Sequence, residues 1–447
     1  MPSVTSSDPL DASTRDGGLT STPPDEPPAE QEIEALAGAS SARDLFAVFR
    51  HRNYRLFFTG QLVSLMGTWM QSVAQGWLVY TLTHSPFLLG LTSFCGLVPV
   101  FFMSAFGGTI SDRVDRRRML VVTQSLSMLQ AAILAGLTLA HVVQVWEVIV
   151  LAASMGLINS FDVPTRQAFT IEMVGREDLR NAIALNSMMF NLARIVGPGA
   201  AGLLVALAGE GVCFALNAIS YGAVLTSLLL MHVEPRIIRE QGHPLRELQA
   251  GFVYAWSKHA IRVSLLLVAV SSCFGASYLA LMPAFARDVL HENSVGLGRL
   301  MGSVGVGALG GAYALSRLHE RHLTLAPILA AGGFGLGLIL FANSHILYVS
   351  MALILPTSFC LMLLGGTTNT IIQTVSDDHF RGRVVSFYAM AFMGMMPWGA
   401  LLLGTLATHI GIGEAITVGG SVCIVAAIAA WFDNARRAEI ASAVPGE

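Results

Sequence analysis

The chain has 447 residues, 53% of them hydrophobic and only 12% charged, and its formal net charge is −3. A soluble domain carries about 25% charged residues because its water-facing surface needs them, so this composition excludes an ordinary soluble fold. The small negative charge also excludes a polyanion-binding role, and no nucleic-acid partner is expected.

Residues 1–44 hold nine acidic residues and six prolines among many Ser, Thr and Ala. That composition cannot bury enough apolar surface to order itself and predicts a disordered tail with no secretory leader. Apolar stretches then recur over 56–80, 87–110, 119–140, 145–163, 182–207 and 211–232. A polar stretch, 233–260, follows, and a second set covers 261–286, 295–315, 323–342, 346–374, 384–408 and 412–432. Most are close to the roughly 20 residues that carry a helix across a hydrocarbon core of about 30 Å. The mean hydropathy of +0.62 agrees. Short alternating segments of the kind a membrane barrel needs are not visible.

The basic residues test this count. Numbering the segments as helices puts 21 Arg and Lys side chains in the loops on one side, among them Arg52, Arg117, Arg180, Lys258, Arg317, Arg383 and Arg437. The opposite loops hold only Arg287 and Arg299. By the positive-inside rule both termini and the central stretch are cytoplasmic. The expected fold is an all-α membrane protein of twelve transmembrane helices in two six-helix pseudo-repeat bundles. Its parts are a tail (1–44), a first bundle (45–232), a linker (233–260), a second bundle (261–435) and a tail (436–447). Gly107-Gly108 recurs as Gly310-Gly311, and Gly197-Pro198 has a rough counterpart in Pro397, about 200 residues on.

Two motifs stand out. Gly108-Thr109-Ile110-Ser111-Asp112-Arg113-Val114-Asp115-Arg116-Arg117-Arg118 lies at the turn after the second segment. There a carboxylate can cap a helix N-terminus or pair with arginine, and such a cluster can be made in one conformation and broken in another. Ala193-Arg194-Ile195-Val196-Gly197-Pro198-Gly199-Ala200-Ala201-Gly202 lies in the fifth segment. Its small residues permit close helix packing, and its proline removes a backbone donor. The first motif resembles the Gly-x-x-x-Asp-Arg-x-Gly-Arg-Arg-Arg loop of the major facilitator superfamily, with Asp115 in place of the second Gly. The second resembles that superfamily's antiporter motif, with Ala at two Gly positions. Asp162-Val163-Pro164-Thr165-Arg166 followed by Asn181, Asn186 and Asn191 is similar to the branch that includes enterobactin exporters and macrolide efflux proteins. The resemblance covers residues 45–435. It implies alternating access, with Gly108, Asp112, Arg113, Arg116, Arg117, Gly197 and Pro198 as the conformational switch.

Polar residues inside apolar segments are the binding candidates. Ser64, Thr68, Gln71 and Gln75 share one face of the first segment and should turn inward, towards protein or a cavity. Arg194 falls near mid-membrane, where a charge costs at least about 2.5–3.5 kcal/mol unless paired or hydrated. It must meet a carboxylate, cavity water or an anionic part of a substrate, and Glu147 is a possible partner by depth. With Gln71, Gln75 and Arg194, the residues Asn159, Asn191, Tyr278 and Asn369 complete the substrate-binding candidates. If protons drive the cycle, a membrane carboxylate must titrate; Asp162 comes first and Glu147 second.

The chain's one lysine, Lys258, lies outside any phosphate-binding loop, so no ATP site is expected. The five cysteines and the histidines lack metal-ligand or catalytic spacing. No cofactor, metal or enzymatic activity is therefore expected. The reading is secondary efflux of a small organic molecule by a monomer in the cytoplasmic membrane, with protons and the lipid bilayer as its other partners. An importer, a lysophospholipid flippase of the same fold, or a non-transporting receptor are the rivals.

Overall fold

The computed structural model describes residues 46–175, 177–231, 252–319 and 322–443; side chains at 104–109, 111–113, 378 and 438–443 are outside the description. The expected tail at 1–44 and most of the expected linker therefore lie beyond the described residues. A first group of helices comprises α1 (Arg52–Thr83), α2 (Pro86–Arg113), α3 (Arg116–Leu139), α4 (Val145–Val174), α5 (Leu179–Ala208) and α6 (Glu210–Leu230). A second group comprises α7 (His259–Val289), α8 (Ser294–Ser316), α9 (Ala326–Ala342), α10 (Leu347–Val375), α11a (Asp378–Phe392) with α11b (Met396–Ile410), and α12 (Ile412–Ala443).

Among the described residues nine helices are long and apolar enough to cross a membrane. α1, α8 and α9 fall outside that set for three different reasons. α1 carries the polar stripe, the apolar content of α8 is diluted by glycines and Arg299, and α9 has only 17 residues. Large apolar side chains such as Leu207, Ile219, Leu329, Val425 and Phe432 point outward. This arrangement is stable where the surroundings are hydrocarbon and unstable in water.

Helix ends are closed by local chemistry. Asp115 caps α3, its carboxylate accepting from Arg118 N at 2.9 Å. Its φ of −59° needs no glycine, which explains why Asp is tolerated where the resembling motif has Gly. Arg117 donates to the carbonyls of Leu228 (2.7 Å) and Leu229 (2.9 Å), satisfying the orphan end of α6. Asp178, just before α5, accepts from Arg50 and His51 at 2.7 Å each. The His51 hydrogen bond, with Arg50 beside it, holds that carboxyl below its usual range.

α7 is an interrupted rod, with π-helical turns at Ser271–Ala276 and Phe285–Val289. α11 breaks between Phe392 and Met396, so Pro397 starts a new helical segment, whereas Pro198 lies inside α5. Residues 252–257, the end of the expected linker, are helical. Tyr254 stacks on Phe380 at 4.4 Å and holds that short helix against α11a. α12 continues into the expected C-terminal tail as far as Ala443, supported by an Arg437–Asp433 pair one turn apart at 3.5 Å.

The core differs between the two ends of the molecule. Away from the arginine-rich turns, one apolar cluster joins both groups: Met70, Leu78 and Leu89 pack with Phe285, Leu297 and Leu300. At the arginine-rich end the groups have separate cores. Tyr54, Phe57, Leu120 and Phe169 form one, and Ile261, Ile372 and Val384 form another.

Candidate functional site

Where the two groups meet, a cavity of about 430 Å³ is lined by α1, α2, α4 and α6 on one side and by α7, α8 and α11b on the other. Its polar wall includes Thr68, Gln71, Gln75, Thr92, Asn159 and Asn217, and its apolar wall includes Trp69, Met155 and Met301. The α1 stripe behaves as an inward face. Ser64 and Gln71 are buried, Thr68 Oγ1 lies 3.3 Å from Tyr221 Oη, and Thr68, Gln71 and Gln75 reach the cavity. Gln71 is held at both ends of its amide: it donates to Gln130 Oε1 at 3.1 Å and accepts from Asn217 Nδ2 at 2.7 Å. Gln130 in turn donates to the Leu151 carbonyl at 3.2 Å. A buried amide with both ends satisfied presents a fixed edge to the cavity.

Of the seven predicted binding residues, Gln71, Gln75 and Asn159 line the cavity. The other four lie elsewhere. Asn191 donates to the Ser187 carbonyl of its own helix at 2.9 Å, and Asn369 is partly buried on α10. Tyr278 is 1% exposed, with its ring against Phe341, while its neighbours Ser277 and Leu279 line the cavity. Arg194 sits in the middle of α5, partly buried. Among the described residues it forms no hydrogen bond or ion pair. Asn217 was missed from the sequence because it pairs with a residue 146 positions away; no local spacing reveals that.

Both carboxylate candidates are engaged. Asp162 is 2% exposed; its Oδ1 accepts from Thr123 (2.7 Å) and Gln124 (2.8 Å), and its Oδ2 pairs with Arg166 at 2.7 Å. Glu147 closes a capping box at the start of α4, accepting from Gln144 N at 2.8 Å. Its carboxylate therefore serves a helix end, and it does not pair with Arg194.

The switch candidates Gly108, Asp112 and Arg113 lie on the last turns of α2, with side chains outside the description. Arg116 is buried and binds Glu172 at 2.8 Å and the Ala168 carbonyl at 3.3 Å, tying α3 to α4. Gly197 packs on α1, where a Cβ would fall 2.6 Å from that of Trp69. One turn on, α5 crosses α8. A Cβ on Gly298 would lie 2.8 Å from the Pro198 carbonyl, and Ser294 Oγ donates to the Gly202 carbonyl at 3.0 Å. α2 crosses α11b in the same way, a Cβ on Gly404 meeting the Pro86 carbonyl at 2.8 Å. Tyr80 Oη donates to Asp288, and Arg287 donates to Thr81 Oγ1 at 3.1 Å, so α1 is also fastened to α7 at this end.

The sequence matches the profile described as "Transmembrane secretion effector" over residues 43–446. The chain belongs to that family of major facilitator superfamily transporters. Its relatives include the staphyloferrin A transporter of Staphylococcus aureus, 27% identical over 86% of this chain and 96% of that protein. The multidrug efflux pump Tap of Mycolicibacterium fortuitum is 24% identical over 87% and 97%. The enterobactin exporter EntS of Shigella boydii is 24% identical over 80% and 85%. Among solved structures, a bacterial homologue of the human lysosomal transporter Spinster, inward-facing and occupied, superposes with a TM-score of 0.68 at 13% identity, over 86% of this chain and 97% of that one. The protein is thus a multi-pass membrane transporter and not an enzyme.

Proposed function

We propose that this transporter exports a small organic molecule, drug- or siderophore-like, across the cytoplasmic membrane by alternating access. Twelve transmembrane helices form two six-helix bundles, 45–232 and 261–435, that rock about the cavity as a monomer. The arginine-rich turns and both termini face the cytoplasm.

One observation carries the reading: the groups share a core, glycine crossings and hydrogen bonds from the end opposite the arginine-rich turns to about mid-depth. The contacts described at the arginine-rich end stay within a group: Arg50 with Asp178, Arg116 with Glu172, Tyr254 with the Asp377 backbone, and His259 with Asp433. A central site sealed on one side, with independent cores on the other, is what an inward-facing carrier requires. The names of the efflux pump and the exporter favour outward transport.

Protons supply the energy in this reading, and Asp162 is the titrating carboxylate. Protonating it would free Arg166, Thr123 and Gln124 from one buried acceptor and so change how α3 packs on α4. The test is accumulation of a solute panel in efflux-deficient cells with and without this chain, repeated with a protonophore. Lower accumulation of some solute, restored by the protonophore, is expected. Higher accumulation on expression would make the protein an importer. Labelling of a tag at 240–250 from outside the cell would invert the topology.

A further inference from the structure

The cavity wall divides its chemistry unevenly between the two groups of helices. Ser72 and Gln75 of α1, Ser93 of α2 and Asn159 of α4 line the cavity. None of the four forms a hydrogen bond with a described residue. Gln75 follows Gln71 by one turn on the same face, so a free amide stands next to the amide fixed by Gln130 and Asn217. The second group brings one polar side chain to the wall, Ser277, and the carbonyls of Ser272 (3.0 Å) and Met396 (2.9 Å) take up its hydroxyl. The rest of that side is apolar, with Leu279, Pro283, Leu297, Met301 and Met396 among its residues.

No described residue that lines the cavity is charged. On α4, the helix that brings Asn159, all four charged side chains are engaged elsewhere. Glu147 closes its capping box, Asp162 pairs with Arg166, and Glu172 pairs with Arg116. An ion entering this space would exchange its hydration for amides, hydroxyls and thioethers, with no counter-charge, and that exchange is unfavourable. A neutral group carrying N–H, O–H or C=O loses far less, because the free amides replace the water it gives up.

We infer that the cavity takes an uncharged amphiphile, whose hydrogen-bonding groups are met by Gln75 and Asn159 of the first group and whose apolar body lies against Met301 and its neighbours in the second. The inference rests on the transport reading and narrows its cargo by charge, not by outline. A primary amide both donates and accepts, so amide, carbonyl and hydroxyl groups all suit it. Methionine side chains are flexible and fill irregular gaps, so the apolar wall fits several outlines.

The test uses four probes of one shape: 2-naphthamide, methyl 2-naphthoate, the 2-naphthoate anion and the 2-naphthamidinium cation. Binding to the purified full-length protein in phosphatidylcholine nanodiscs is measured by calorimetry, with empty discs as the blank. The amide should bind at least about tenfold more tightly than either ion. It should also bind about threefold more tightly than the ester, which has no donor. The double variant Gln75→Leu with Asn159→Leu should erase the amide's lead over the ester. It removes no bond to a described residue, so Tm should stay unchanged, and the ratio of two affinities is unmoved by any loss of folded protein. Met301→Ala should weaken amide and ester in parallel and leave their ratio alone. An ion that binds as tightly as the amide would overturn the uncharged class. An amide-to-ester ratio indifferent to the double variant would overturn the role of Gln75 and Asn159. Binding of no probe would overturn the cavity as a site for such amphiphiles. The accumulation assay decides export separately: extrusion of charged solutes alone would sustain export and overturn the uncharged class.

Discussion

Arg166 and Arg194 are the same side chain at two depths of adjacent helices, and they are treated in opposite ways. Arg166 pairs with Asp162 at 2.7 Å, and that carboxylate accepts two further bonds from α3. Arg194 meets no described partner. A charge within a membrane is costly in both places. Where the protein supplies the counter-charge itself, the residue holds the bundle together. Where it does not, the charge is left to water or to a group outside the described residues.

The sharpest way to break this contrast is to leave Arg166 as lonely as Arg194. Asp162→Leu should lower stability by about 3 kcal/mol, since removing one partner of a buried pair leaves the other uncompensated. Arg166 keeps some solvent access, which holds the loss at the low end of the usual range. The double variant with Arg166→Leu should recover most of the loss, read as Tm in detergent. A tolerated single change would show that Arg166 reaches water as Arg194 does, and the distinction would fall.

The next effect concerns the crossing beside Arg194. Gly298→Leu must displace the Pro198 carbonyl and the Gly202 backbone. Overpacking of this kind costs about 1–3 kcal/mol. Here it should weaken the sealed end, slowing transport at least tenfold with cargo affinity changed less than threefold. An equal loss of affinity would mean that the crossing forms part of the binding wall.

These effects show what was readable beforehand. The one-sided arginines marked the turns, and the α1 stripe marked an inward face, because both follow from composition and a 3.6-residue period. The α5 motif marked a close crossing through its small residues. The partner of each group was not readable. Gln71 meets Asn217 across 146 residues, and Glu147 looked like a mid-membrane carboxylate until its capping box placed it at a helix end. The π turns of α7 and the break in α11 were not readable either, since no repeat in residue spacing marks them. Asp115 looked like a defect in a motif and is the cap of α3.

A smaller effect is expected at the seal. Tyr80→Phe removes the hydroxyl that donates to Asp288 across the two groups. A hydrogen bond to a charged group contributes about 1.5–3 kcal/mol when buried, and less at a partly exposed site. The variant should shift the balance towards the outward-open form by about 1 kcal/mol, roughly a fivefold change in population. Distance measurements between spin labels on the loops 83–86 and 290–293 would detect it. An unchanged distribution would mean that the glycine crossings alone hold that end.

The smallest expected effect is the one that a pairing of Arg194 with Glu147 would make large. Glu147→Gln keeps a side chain able to accept from Gln144 N, so the capping box loses only its charge near a helix N-terminus, about 0.3–1 kcal/mol. Arg194→Leu removes a cation that no described side chain balances, so its stability change should be zero or slightly favourable. In a double-mutant cycle of Tm values the two changes should add within about 0.5 kcal/mol, as they do for distant sites. A coupling above about 1 kcal/mol would show that the two groups meet in some state of the cycle. Arg194 would then be a structural residue like Arg166, with the protein's own carboxylate as its counter-charge.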